Sequence, residues 1–106
     1  MNEAAADNAS AERGARPSPQ NVEAEECILG GIILANDKLD ELSDLRGDDF
    51  YREKHRRIYG AMLDLWTEQE PIDLVTLEAK LKERGERGVV EPTFLVYLAE
   101  IGRAHV

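Results

Sequence analysis

Between Asp48 and Leu77 the apolar residues keep helical time. His55, Ile58, Tyr59, Met62, Leu65 and Trp66 fall at i, i+3, i+4, i+7, i+10 and i+11, the spacing that lines one face of an α-helix. A helix is predicted from about Phe50 to Glu68, capped by Asp48 or Asp49. Pro71 pushes Glu70 out of the helical region and breaks the chain there. Asp73 then caps a further helix through Leu74, Leu77 and Leu81, stopped at Gly85. Upstream, Asn21 stands as an N-cap, with Glu23, Glu25 and Glu26 where the helix dipole favours negative charge. From Cys27 to Leu34 that helix is apolar almost all round, the mark of a helix covered on several sides. Gly30 and Gly31 each cost about 1 kcal/mol in helix propensity relative to Ala, which close approach of a neighbouring helix would offset. A short helix restarts at Asn36 or Asp37, carries Leu39, Leu42 and Leu45, and ends near Arg46-Gly47. After a loop from Gly85 to Pro92, a last helix occupies roughly Thr93 to Ile101, with Pro92 or Thr93 at its start. No segment shows strand alternation, internal repetition or a heptad run. The expected fold is all-α, a compact orthogonal bundle of about five short helices.

Length sharpens this picture. At 106 residues the chain holds one domain at most. Residues 1–18 are rich in Ala, Asn, Glu, Ser and Arg without apolar period, and read as a disordered tail. The helical domain is expected over 19–101, and 102–106 form a short C-terminal tail. A core this small rarely supplies more than about 3–5 kcal/mol, so such domains lean on partners or on self-association. The net charge of −9 repels a phosphate backbone and makes DNA contact by this chain unfavourable. A single cysteine excludes an intrachain disulfide. With no signal-peptide pattern and no apolar run near 20 residues, the expectation is a soluble cytoplasmic protein without membrane contact.

The search for chemistry is mostly negative. The phosphate-cradling pattern GxxxxGK[ST] is missing, and the Gly30-Gly31 pair follows no strand and precedes no Lys-Ser/Thr. Cys27, His55 and His105 are too scattered for a zinc site. Cys27 reads as a small hydrophobe, and His55, on the apolar stripe, as a packed histidine with one nitrogen hydrogen-bonded. Paired carboxylates such as Asp48-Asp49 and Glu25-Glu26 sit near helix ends, where they suit capping. No catalytic, cofactor-binding or metal-binding residue is assigned, and no cofactor is expected for this chain. Two surfaces remain. Arg52, Lys54, Arg56 and Arg57 form the one dense basic run, next to Phe50, Tyr51 and Tyr59, the mixture that binds single-stranded nucleic acid by stacking. Against that reading, the aromatics lie on the core stripe, and Glu53 stands i,i+4 to Arg57 for a helical ion pair. In the last helix Phe94 to Leu98 are five apolar residues in succession. At 100° per residue they wrap beyond one face, so another helix of the chain or a partner must cover the far side. A partner is favoured, and Phe94, Leu95 and Val96 are the candidate interaction surface.

Several strings in order carry a resemblance: Pro19-Gln20-Asn21-Val22-Glu23-Ala24-Glu25, Ile28-Leu29-Gly30-Gly31-Ile32-Ile33-Leu34, Phe50-Tyr51-Arg52 with His55 three residues on, and Asp73-Leu74-Val75-Thr76. The chain resembles the N-terminal domain of DnaB-type replicative DNA helicases over residues 19–84, and more weakly to 101. It departs from the family pattern at Pro92-Thr93-Phe94, where Val-Gly-Gly is usual. The resemblance implies a non-catalytic domain acting by protein contact in DNA replication. In relatives such domains assemble into a collar on the hexameric ring and dock the DnaG-type primase, while ATP and magnesium belong to a separate motor. Weak self-association is expected of this chain, with primase and intact helicase as further partners. The alternatives are a small single-stranded DNA-binding module using Arg52 to Arg57, and a stand-alone adaptor of primase or helicase.

Overall fold

In the computed structural model, which describes residues 21–42 and 44–104, the elements are four α-helices and two 3-10 segments, with no strand among the described residues. The tail read over 1–18 and the residues His105 and Val106 lie outside them. The helices are α1 (Val22–Leu34), α2 (Glu53–Thr67), α3 (Leu74–Glu83) and α4 (Pro92–Ala104). The all-α bundle expected from periodicity is the observed one. Its second element, Asn36–Leu42, is wound as a 3-10 helix rather than an α-helix.

The core gathers one face from each helix. Leu29 and Ile32 of α1, Ile58 and Met62 of α2, Leu77 of α3 and Leu98 of α4 are all fully buried. The separations of three residues in α1 and four in α2 are what turn a sequence stripe into one contiguous apolar volume. α1 and α4 cross most closely, at Gly30 and Gly102. A Cβ on Gly30 would stand 2.8 Å from the Gly102 nitrogen and nearer still to the Leu98 carbonyl. The close approach expected of the glycine pair therefore belongs to Gly30. It also explains why α4 continues to Ala104, past the end predicted at Ile101. Gly102, read as part of a tail, is buried in the crossing.

Polar side chains set the connections. Asn36 donates from Nδ2 to the carbonyls of Ile32 (2.8 Å) and Ile72 (3.0 Å) and accepts from the Ile72 N–H at 2.8 Å. One amide thus ties the end of α1 to the strap that leads into α3. Asp73 caps α3 as expected: its Oδ1 accepts from the Thr76 N–H at 2.9 Å, and Thr76 Oγ1 accepts from the Asp73 N–H at 2.9 Å. Gly85, at φ +74°, supplies the left-handed stop.

Two predicted caps are corrected. Asn21 occupies the N-cap position of α1 without a side-chain cap bond. Asp48 and Asp49 do not cap α2; they lie in a single 3-10 turn, Gly47–Asp49, where Asp49 Oδ2 accepts from the Arg46 N–H at 2.9 Å. The long helix starts at Glu53 rather than Phe50. Phe50 is extended (φ −84°, ψ 139°) with its ring in the core, and Arg56 Nη1 donates to the carbonyls of both Phe50 and Tyr51 at 2.9 Å. Those bonds satisfy backbone groups outside the helix and hold the segment ahead of it in place.

Candidate interaction surface

α4 decides which side of the molecule faces outward. Leu95, Leu98, Ala99 and Gly102 recur at i, i+3, i+4 and i+7 and are buried, which turns Val96 and Tyr97 outward, 48% and 45% exposed. Of the predicted surface, Val96 is exposed, Phe94 is half-buried, and Leu95 is in the core at 2% exposure. Leu95 is therefore corrected from surface to core: it lies on the stripe that packs on α1. Tyr97, absent from the predicted set, takes its place.

Beneath that face lies a polar cluster that periodicity gave no reason to expect. Glu25 and Glu26 of α1 are 1% and 7% exposed, and His55 of α2 is fully buried. His55 Nδ1 lies 2.6 Å from Glu25 Oε1, and Glu25 Oε2 accepts from the Tyr51 N–H at 2.8 Å. A carboxylate oxygen only accepts, so Nδ1 is the protonated nitrogen of that pair. His55 Nε2 has no hydrogen-bond partner among the described residues and faces Glu26 Oε2 at 3.9 Å. Glu26 Oε1 accepts from the Tyr97 hydroxyl at 2.9 Å. That hydrogen bond, with burial, pushes the Tyr97 hydroxyl above its ordinary value. Phe94 stacks on the His55 ring (5.8 Å, 18°), and Lys54 Nζ stands 4.4 Å from the centre of the Phe94 ring. Three helices are thereby locked together behind Tyr97. The signal in the sequence was the pairing of an acid inside an apolar helix with a histidine on another apolar stripe, because buried polar groups find one another.

The basic run is largely committed within the chain. Arg57 binds Glu53, as its spacing predicted, and reaches Glu86 at 2.9 Å. Arg56 holds Glu53 as well as the two carbonyls of the extended segment. The two guanidinium groups keep the Glu53 carboxyl below its ordinary range. Lys54 caps the Phe94 ring, and Arg52 is exposed at the start of α2. Phe50 and Tyr59, the aromatics nearest this run, are each 1% exposed, leaving Tyr51 as the one with an open face. Stacking on bases needs open ring faces, and of these three aromatics only Tyr51, beside the exposed Arg52, offers one. Glu86 draws on the same network. Burial pushes it up, but the Arg84 and Arg57 guanidiniums outweigh burial and hold it below its ordinary range.

On the far side of α1 an apolar groove of about 1020 Å³ opens between α1, the 3-10 segment and the end of α4. Cys27, Ile28, Gly31 and Leu34 line it from α1, with Lys38 and Glu41 at the rim. Among the described residues no group of three or more His, Cys, Asp and Glu side chains is placed to hold a metal ion, and no helix is long and apolar enough to cross a membrane.

Comparison with known proteins places this geometry. The family model of the DnaB-like helicase N-terminal domain matches residues 17–104. The replicative DNA helicase DnaB of Mycobacterium leprae is 46% identical over 71 residues, which are 66% of this chain and 12% of that protein. DnaB of Haemophilus influenzae is 42% identical over 84 residues, 78% of this chain and 18% of that protein. The chain thus spans less than a fifth of the curated relatives it matches. The crystal structure of the N-terminal domain of DnaB helicase from Mycobacterium tuberculosis superposes with a TM-score of 0.73 at 40% identity, covering 80% of this chain and 60% of that one.

Proposed function

We propose, from the premise that this chain belongs to the DnaB-like helicase N-terminal domain family, that it works by protein–protein contact and performs no catalysis of its own. The observation that carries this reading is the outward face of α4. Val96 and Tyr97 are large, apolar and nearly half exposed, and Tyr97 is held in place from below by Glu26. A rigid aromatic on a helix face costs little entropy when it is covered, which suits it to anchor a contact. The basic run gives less support to a nucleic-acid role, because Arg56 and Arg57 are engaged by Glu53 and Glu86.

In this reading the first partner is another copy of the chain. A DnaG-type primase and an intact helicase are further partners, and the setting is DNA replication in the cytoplasm. No nucleotide or metal cofactor acts on these residues; ATP and magnesium belong to the motor of full-length relatives. Sedimentation of the 106-residue chain from micromolar to millimolar concentration tests self-association, with a rise in weight-average mass expected. Pull-down against purified primase and helicase tests the other two. A strict monomer that captures neither overturns the reading. So does single-stranded DNA binding that weakens steeply with salt and is lost on Arg52→Ala with Lys54→Ala.

A further inference from the structure

Tyr97 does not stand alone on the outward face. Two adjacent acids of α1 hold two aromatic residues from below: Glu25 Oε2 accepts from the Tyr51 N–H at 2.8 Å, and Glu26 Oε1 accepts from the Tyr97 hydroxyl at 2.9 Å. Tyr51 is 54% exposed. Phe94 packs against Tyr97 with ring centres 5.6 Å apart, and Lys54 Nζ sits over the Phe94 ring. Arg52, exposed next to Tyr51, is near enough to Tyr97 to oppose the rise of its hydroxyl, while exposed Glu23 adds to that rise. Tyr51, Arg52, Lys54, Phe94 and Tyr97 therefore form one patch, drawn from α2, α4 and the segment ahead of α2. Its aromatic parts are held in place before any partner arrives, which lowers the cost of covering them.

Charge says what the patch takes. Lacking an ion pair does not by itself mark Arg52 and Lys54, because Lys38, Arg46 and Lys82 also have none among the described residues. Their place does: Lys54 lies over the Phe94 ring, and Arg52 acts on Tyr97. The acids nearest them are largely spent, since Glu25 and Glu26 are buried and Glu53 is held by Arg56 and Arg57. On a chain of net charge −9, this is a place where positive charge meets open rings. Carboxylates flanking an apolar side chain are complementary to it. A nucleic-acid strand is less so: its charges repeat along its whole length, and the basic run beyond Lys54 is closed by the pairs that Arg56 and Arg57 make with Glu53 and Glu86. A short acidic segment asks for no more than the two cations present. We propose that this patch docks a short acidic segment of a partner protein, with an apolar residue on the Tyr51 and Tyr97 rings and carboxylates on Arg52 and Lys54. This rests on the reading of the chain as a contact domain and gives that contact a partner chemistry.

Fluorescence anisotropy with the full chain tests it, using a short labelled peptide of two leucines flanked on each side by paired aspartates. Binding is expected at low salt, and about tenfold weaker binding to Arg52→Glu, which turns an attraction into a repulsion. Tyr97→Ala is expected to weaken it by a similar factor. Lys82→Glu makes the same change in net charge on α3 and should stay within about twofold of the parent. All three positions are exposed, and circular dichroism verifies that each variant remains helical. The same peptide with asparagine in place of aspartate should not bind. Equal binding of the two peptides, an Arg52→Glu loss no larger than that of Lys82→Glu, or no binding of the aspartate peptide overturns the proposal. So does oligothymidylate that binds more tightly than the peptide and is lost on Arg52→Glu, which assigns the patch to a nucleic acid. Self-association that is lost on Arg52→Glu assigns it instead to a second copy, with the same consequence. A chain that still self-associates or captures primase but ignores the peptide loses this proposal alone and keeps the broader contact reading.

Discussion

The two adjacent glycines of α1 point about 100° apart around one helix, meet different neighbours and serve different purposes. Gly30 lies where the backbones of α1 and α4 meet, with the Leu98 carbonyl and the Gly102 nitrogen in the space a Cβ would fill. Gly31 faces the groove, and a Cβ there would meet only the Lys38 methylenes, at 3.4 and 3.6 Å. The inner side of α1 is over-determined, with a glycine crossing, two buried leucine-type anchors and a carboxylate–imidazole cluster. The outer side has an apolar floor, with the groove open above it among the described residues. Glycine in a helix is thus no evidence of close packing until its direction is known.

The comparison can be broken most forcefully at Gly30. Gly30→Ala places a methyl against backbone that cannot rotate away, and α1 and α4 must separate. A loss of about 2–3 kcal/mol is expected from urea denaturation. An unchanged midpoint would mean the crossing is looser than the structure has it. Next comes Glu25→Ala, which strips His55 Nδ1 and the Tyr51 N–H of their acceptor in a buried site. Orphaned buried donors cost about 1–3 kcal/mol, so a loss near 2 kcal/mol is expected. A loss near zero would mean that water reaches the cluster.

Away from α1, Glu86→Gln calibrates the scale. Glu86 holds both Arg84 and Arg57, and a loss of about 1–2 kcal/mol is expected from hydrogen bonds to charged groups. Its folded-state carboxyl is held below the ordinary value of 4.5. Its contribution is therefore complete above about pH 4.5 and disappears as the pH falls through the lower folded value. The difference between parent and variant should shrink on acidification below about pH 4.5, and a gap that widened would reverse the sign of this assignment. The smallest effect is at Gly31. Gly31→Ala recovers helix propensity of up to about 1 kcal/mol, and the flexible Lys38 stem can give way. A small rise in midpoint is expected, opposite in sign to the effect at its neighbour.

Much of this architecture could be read in advance where one periodicity governed one face. The α2 stripe through His55, Ile58, Tyr59, Met62 and Leu65 is buried as spaced, while Trp66 at its end is 37% exposed; Asp73 and Gly85 bound α3, and Glu53 pairs with Arg57. Where two local signals competed, tertiary bonds chose. Asp48 and Asp49 had the chemistry of helix caps, but burial of Phe50 and the reach of Arg56 moved the helix start to Glu53. Five successive apolar residues in α4 concealed the finer repeat of Leu95, Leu98, Ala99 and Gly102, so Leu95 was assigned to the surface and Tyr97 was overlooked.

Sequence alone established the helical class, the family resemblance and the order of the elements, because local spacing and short motifs are properties of neighbours along the chain. Only the fold decided that Glu25 and Glu26 would enclose His55, that Gly30 rather than Gly31 would meet Gly102, and that α1 would leave one apolar side open. Those outcomes join residues 29 to 72 positions apart, and a helix cannot announce from its own residues which of its sides another helix will cover.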